Sequence, residues 1–215
     1  MTSDAAATAT LMTWLSPAFP VGGFAWSGGL EAAVAGGMVT DRDSLMEWLT
    51  SSLERGTARL DTMAVGLAVA GVGDNADVDD TLLAMATTPE RASELREMGH
   101  AFWAASAAWR DGEVHAPMTY PIAFGVMARG LGADRQTILT AFCTSLVSAQ
   151  IQAALRLLPL GQKAGVECLA GCAGAIESCC VEVANSTLDD LSTSTFAVDI
   201  AAMQHRDLPS RIFRS

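Results

Sequence analysis

TDRDSLMEWLTSSLERGTARLDTMAVGL, residues 40–67, decides the fold because it predicts a long amphipathic helix. Thr40-Asp-Arg-Asp43 is typical of a helix start. Apolar residues then recur in steps of three and four, which places them on one helical face. That face contains Leu45, Trp48, Leu49, Leu53, Leu60, Met63 and Leu67. Gly73, followed by Asp74-Asn75, is expected to end the helix.

The same spacing predicts further helices on both sides of this stretch. A helix begun at Thr10 to Leu15 must break at the turn residues 16–23. Thr88-Pro89-Glu90 and Asp134 are helix-start signals, and Pro159 must stop the helix that precedes it. Further helices are predicted at 27–35, 79–86, 88–109, 120–129, 134–158, 161–184 and 198–205. We find no convincing strand, so residues 1–215 are predicted to form a single-domain, all-α bundle of about eight to nine helices.

Charge and composition argue against a nucleic-acid-binding, secreted or membrane-spanning protein. The formal net charge is -11 and the sequence contains no basic stripe, which argues against nucleic acid as a partner. No cation precedes Arg42, so residues 1–9 do not form a secretory signal, and we expect them to be flexible. The longest apolar run, Leu139 to Leu158, has a polar edge, so we predict no membrane span and a cytoplasmic protein.

The motifs that are missing argue against an enzyme. A phosphate-binding loop needs Gly-Lys-Ser/Thr, and the only lysine, Lys163, follows Gln162. The sequence has no His-x-x-x-His pair and no Gly-x-Ser-x-Gly turn. The three histidines, His100, His115 and His205, lie far apart. We therefore predict no catalytic residue, no metal ligand and no cofactor.

The cysteines leave two interpretations open. Cys168 and Cys172 lie at i and i+4 on one helical face, and Cys179 extends the stripe. One interpretation is a soft-metal site, because thiolates select such ions. The other is that each cysteine is a small buried hydrophobe, and a lone C-x₃-C spacing favours this second reading.

Residues 206–215, RDLPSRIFRS, differ from the rest of this acidic chain. Ile212 and Phe213 lie between Arg211 and Arg214, and burying them requires a groove. That groove belongs either to the chain's own body or to another protein. We favour the second possibility, a docking tail that becomes ordered on a partner.

Polar residues inside apolar helices are the other candidates for a site. Glu31 is the only charge between Asp4 and Asp41, and its spacing favours a solvated face over a buried acceptor or a contact. Gln150, Gln152 and Arg156 form a polar edge at helical spacing, whose simplest explanation is hydrogen bonding between helices.

Three segments together resemble the urease accessory protein UreF family. They are LSPAFPVGGFAWSGGLE at 15–31, AQIQAALRLLPLGQ at 149–162, and Met203-Gln-His205 with RIFRS at 211–215. The chain departs from the family pattern at Trp26, where Tyr or His is expected, and at Arg206, where an acid is expected.

The resemblance implies an all-helical protein that dimerises and does no bond-making itself. It implies binding to UreD (also called UreH), recruitment of the GTPase UreG, and docking of the complex on apo-urease for GTP-dependent nickel insertion. The residues that it marks for partner binding are Gly22, Gly23, Ser27, Glu31, Gln150, Arg156, Gln162, His205, Arg211, Ile212, Phe213 and Arg214.

Two other functions are kept as alternatives. One is a soft-metal carrier that uses Cys168, Cys172 and Cys179. The other is an α-helical hydrolase or lyase that uses Glu31 with His100 or His205, for which the sequence offers no paired motif.

Overall fold

The computed structural model describes residues 4–71, 73–110 and 118–215. Within these ranges the chain forms eleven α-helices, joined by turns and short 3₁₀ segments, and no strand, so the predicted all-α class is confirmed for the described residues. The helices are α1 (Asp4–Trp14), α2 (Leu30–Ala35), α3 (Arg42–Arg55), α4 (Thr57–Ala70), α5 (Asn75–Ala84), α6 (Pro89–Ala105), α7 (Tyr120–Arg129), α8 (Arg135–Leu157), α9 (Gln162–Gly171), α10 (Ala173–Val183) and α11 (Phe196–Gln204).

The helix boundaries follow the local signals in most places. Thr88 caps α6 by accepting a hydrogen bond from the backbone N–H of Arg91, and Asp134 caps α8 in the same way from Thr137. The predicted helix 120–129 forms with those bounds. α8 ends at Leu157, just before Pro159, as predicted. Asp111-Gly112, a turn pair that would end the predicted helix 88–109, lies outside the described residues.

The predicted long helix that begins at residue 40 is wrong in one respect, because it is two helices. Gly56 separates α3 from α4 with an extended backbone, φ -112° and ψ -157°. The carbonyl of Arg55 accepts instead from the backbone N–H of Ser194, at 2.9 Å. The apolar steps continue across Gly56, so the spacing alone did not reveal the break.

The predicted helix 161–184 is also two helices, with a bend of 41° between α9 and α10. The bend lies at Cys172, whose ψ of -9° tightens the turn relative to an α-helix. These two breaks account for the difference between nine predicted helices and eleven observed ones.

The start of the chain differs from the flexible segment predicted for residues 1–9. From Asp4 onward it forms α1, whose alanine-rich sequence favours a helix. Ala7, Leu11 and Trp14 are buried, at helical spacing, against the rest of the molecule. Residues 1–3 lie outside the described ranges.

α4 is the central helix, and it packs mainly on α7 and α8. Its buried residues surround the helix, in agreement with a core position. Gly125 lets α7 approach closely, because a Cβ there would lie 2.6 Å from the Cβ of Ala68. Trp14, Phe102, Phe124 and Phe142 complete this core with ring centroids 4.9–6.3 Å apart.

Among the described residues, α8 is long and apolar enough to cross a bilayer by length and composition. The bent pair α9 and α10 passes the same test when taken together. Core helices of globular proteins pass it too. α8 packs against α4, α10, α9 and α2 and contributes Phe142 to the core, so we interpret it as the core helix of the bundle.

Candidate functional site

A glycine-rich turn precedes α2 and sets the geometry of the site. Gly22, Gly28 and Gly29 all have positive φ values, between 60° and 86°, which other residues rarely adopt. Gly29 is also a point of close approach, since a Cβ there would lie 2.9 Å from the backbone nitrogen of Ala202. Glycine at this position therefore lets α11 lie directly on the start of α2.

Glu31 lies in the first turn of α2 and is 6% exposed. Its carboxylate accepts from the Nε2–H of His205 at 2.8 Å, from the backbone N–H of Ile212 at 2.6 Å and from the backbone N–H of Phe213 at 3.0 Å. Burial alone raises the pKa of Glu31, but the hydrogen bonds from Ile212, His205 and Phe213 outweigh it, so its pKa falls below its ordinary value of 4.5. The charge of Glu31 thus holds the chain's last residues in place.

The preference for a solvated Glu31 was therefore wrong, and the buried acceptor is correct. Glu31 is buried because Gly29 lets α11 and His205 lie against the face of α2 that carries this carboxylate. His205 is itself fully buried, and its Nδ1 atom has no hydrogen-bond partner among the described residues.

The tail docks on the chain's own body. Phe213 is 4% exposed, and the guanidinium carbon of Arg156 lies 4.2 Å from the centre of its ring. Arg156 also donates to the backbone carbonyl of Phe24 at 2.9 Å, which ties α8 to the turn before α2. A cation above an aromatic face contributes favourably to such packing.

Arg214 fixes the tail on a second side. Its guanidinium makes a two-pronged ion pair with Glu97 of α6, at 2.6 Å and 2.7 Å, and lies 4.2 Å from the centre of the Trp26 ring. Its backbone N–H donates to Ala25 at 2.8 Å. Forked pairing of this kind is specific to arginine.

Hydrogen bonds between Ser27 and Ser215 join the glycine-rich turn to the tail. The backbone N–H and the hydroxyl of Ser27 both donate to the Ser215 carbonyl, and the N–H of Gly28 donates to the Ser215 hydroxyl at 3.2 Å. Gln150 supports the turn from α8 by donating to the Ser27 carbonyl at 3.0 Å. Trp48 of α3 in turn donates its indole N–H to Gln150 at 3.3 Å.

The prediction that the tail stays free until it meets another protein is wrong, because its groove is on its own chain. The reason is the set of acceptors that the turn, α2 and α6 provide for the tail's backbone and arginines. Ile212 is different from Phe213: its backbone is held by Glu31, while its side chain remains 58% exposed.

Most of the residues that the family resemblance marked come together here. The turn contributes Gly22 and Gly23, and the bonded residues are Ser27, Glu31, Gln150, Arg156, His205, Ile212, Phe213 and Arg214. Arg211 and Gln162 are exposed, and the described hydrogen bonds of this network do not include their side chains. Whether any of these residues contacts a partner stays a prediction.

Two important members were missed as site residues, Glu97 and Trp48. Trp48 was assigned only to the apolar face of its helix, and Glu97 gave no local signal in a helix rich in charges. Their contacts join residues more than one hundred positions apart, which no local spacing reveals.

A groove of about 460 Å³ lies beside the tail, between α1, residues 15–26 and α8. Phe213 and Arg156 contribute to its lining. Among its described lining residues the titratable groups are Arg156 and Tyr120, and burial raises the pKa of Tyr120 further. Such a lining provides no pair of groups for acid–base chemistry.

The cysteines belong to two separate groups. Cys168 and Cys172 are buried where α9 meets α3, whereas Cys179 and Cys180 of α10 contact Cys143 of α8. Contact with Cys179 and burial raise the pKa of Cys143 to about 12. The described residues contain no group of three or more His, Cys, Asp or Glu that could hold a metal ion.

Similarity to known proteins identifies the family of this chain. The family model described as UreF matches residues 39–173. The chain is 40% identical to the urease accessory protein UreF of Agrobacterium fabrum over 221 residues, which covers 99% of this chain and 98% of that protein. It is 39% identical to the protein of that name from Bradyrhizobium diazoefficiens, covering 99% and 93%, and 37% identical to that from Jannaschia sp., covering 95% and 93%. The chain belongs to the UreF family of urease accessory proteins.

Proposed function

We propose that this chain is a non-enzymatic scaffold in urease maturation. In this role it forms a cytoplasmic homodimer, binds UreD (UreH), and recruits and regulates the GTPase UreG while nickel is inserted into apo-urease. The names of its relatives support the general role in urease maturation. The named partners, the regulation of GTP hydrolysis and the compartment follow from the family resemblance.

The observation that carries the proposal is how Glu31 is used. A catalytic carboxylate must reach a substrate, but both oxygens of Glu31 accept hydrogen bonds from His205 and the tail backbone. The Glu31–His205 pair of the hydrolase alternative does exist, yet both residues are buried and engaged. The carboxylate of Glu31 instead holds the backbone of the tail, and the side chain of Ile212 is exposed.

The outer face of α11 forms a second exposed apolar surface, close in sequence to the tail. Phe196, Ile200 and Met203 of α11 occur at i, i+4 and i+7, and they are 78%, 53% and 48% exposed. Three large apolar side chains on the outer face of one helix are typical of a protein-binding surface. Glu31 connects this helix with the tail, because it binds both His205, which follows α11, and Ile212.

Co-expression with UreD and UreG, followed by sizing of the purified complex, tests the proposal. We expect the complete chain to co-purify with UreD, and deletion of residues 212–215 to abolish this binding. Ile200→Ser should weaken it, while Val181→Ser, which removes an equally exposed apolar side chain from α10, should not.

Two results would contradict the scaffold. One is GTP hydrolysis by this chain alone, and the other is unchanged UreD binding after the deletion and after Ile200→Ser. Circular dichroism of each variant should show the helical content of the parent, so that lost binding reflects lost contacts.

A further inference from the structure

Cys168, Cys172 and Met46 lie where α9 packs on α3. Cys168 and Cys172 are one helical turn apart, since the backbone N–H of Cys172 donates to the carbonyl of Cys168 at 3.0 Å. Both face inward and are at most 1% exposed. The thioether of Met46 on α3 contacts Cys172, with its Sδ atom 4.0 Å from the Sγ atom of that cysteine.

The position of Met46 depends on Gly171, which lies against its side chain. A Cβ on Gly171 would lie 3.0 Å from the terminal methyl carbon of Met46 and 3.5 Å from its sulfur. Glycine therefore leaves the space in which the thioether can lie beside Cys172, at the bend between α9 and α10. The sequence stripe that included Cys179 did not anticipate this arrangement, because Met46 comes from another helix.

We propose that Cys168, Cys172 and Met46 bind one monovalent soft cation of the Cu⁺ class. Thiolate and thioether ligands select Cu⁺ over the divalent ions that prefer oxygen or imidazole. Binding replaces at least one thiol proton, which passes to solvent, so the buried thiolate is formed together with its counter-charge.

Charge balance favours a monovalent cation at this buried site. A buried thiolate without a partner is costly, whereas a Cu⁺–thiolate pair carries no net charge. The proposal is independent of the scaffold role, since it uses none of the residues around Glu31.

Anaerobic titration of the reduced chain with Cu⁺, against the chelator bicinchoninate, tests this site. We expect one Cu⁺ per chain to be retained, and the double variant Cys168→Ser/Cys172→Ser to lose it. Met46→Leu keeps the volume but removes the sulfur. Loss of a group that only supports a metal ligand already weakens metal affinity about tenfold or more, so loss of the Met46 ligand should weaken Cu⁺ retention at least as much. Cys179→Ala, which removes a buried thiol of the other group, should retain the ion.

Equal Cu⁺ retention by the double variant and the parent would overturn the proposal, as would no retention by either. Circular dichroism checks that each variant is folded. A measurement on the unchanged chain avoids that question: X-ray absorption of the Cu⁺-loaded protein should show sulfur ligands only. Nitrogen or oxygen ligands around the copper would place the ion elsewhere and refute the assignment.

Discussion

Glu31→Gln gives the sharpest test of how the tail is held. The glutamine amide keeps one acceptor oxygen, which can serve Ile212, and presents an NH₂ group in place of the other oxygen. His205 can shift its proton to Nδ1 and accept from that NH₂ group, but the backbone N–H of Phe213 then loses its acceptor. A buried donor left unsatisfied costs about 1–3 kcal/mol, and the lost charge weakens the remaining bonds.

Amide hydrogen exchange at Ile212 and Phe213 measures this loss directly. Because 1.4 kcal/mol is about a tenfold change in an equilibrium constant, we expect exchange at these amides to accelerate by roughly 5- to 150-fold. The amides of the core helix α4 should keep their protection. Glu54→Gln, which alters an exposed carboxylate paired with Arg55, is the matched control. Unchanged exchange at Phe213, or an equal change in the control, would refute the role given to Glu31.

Three further predictions concern the packing at Gly29, the buried ion pair between Asp61 and Arg91, and the pH dependence of the tail. Gly29→Ala should lower the melting temperature, because its φ of 86° and the 2.9 Å approach to Ala202 leave no room for a Cβ; an unchanged transition would contradict the close packing. Asp61→Asn should cost about 1.5–3 kcal/mol in urea denaturation, because the buried guanidinium of Arg91 loses the carboxylate charge at 2.6 Å while it keeps Glu94 at 2.9 Å. Folding lowers the pKa of Glu31, so the stability that this carboxylate contributes is complete above pH 4.5 and is lost as the pH falls through the lower folded pKa. Protection of the tail amides from exchange should therefore fall in that acidic window. A tail equally protected throughout the window would exclude Glu31 as the anchor.

The sequence predicts the helices well where a cap or a stop is local. Thr88, Asp134 and Pro159 each act within one helical turn, so their effect is readable from neighbouring residues. Gly56 and Cys172 are different, because the apolar spacing continues through both and only the packing of α3, α4, α9 and α10 shows where the axes diverge. The same limit applies to the start of the chain, where burial of Trp14 against Phe102 and Phe124 stabilises a helix that composition did not reveal as ordered.

For the site too, the sequence predicts which residues are of interest but not which of them contact one another. The motifs marked Glu31, Gln150, His205 and Phe213 as residues of interest, but local spacing could not show that they contact one another. Glu31 and Ile212 are separated by 181 positions, and the bond between them depends on the close packing of α11 on α2. For this reason an isolated carboxylate in an apolar helix was assigned to solvent, although it is the anchor of the tail.

A tail that is already docked changes what a partner protein has to do. Pulling Phe213 out of its groove would cost about 2 kcal/mol of apolar burial, and about 1.5–3 kcal/mol for each charged hydrogen bond to Glu31. A partner that recognises the docked tail avoids this cost, because Ile212 and Arg211 already face outward on a fixed backbone. In the proposed scaffold, the arrangement therefore favours recognition of a preformed surface over capture of a loose end, and we expect Glu31 to influence binding without any contact to the partner.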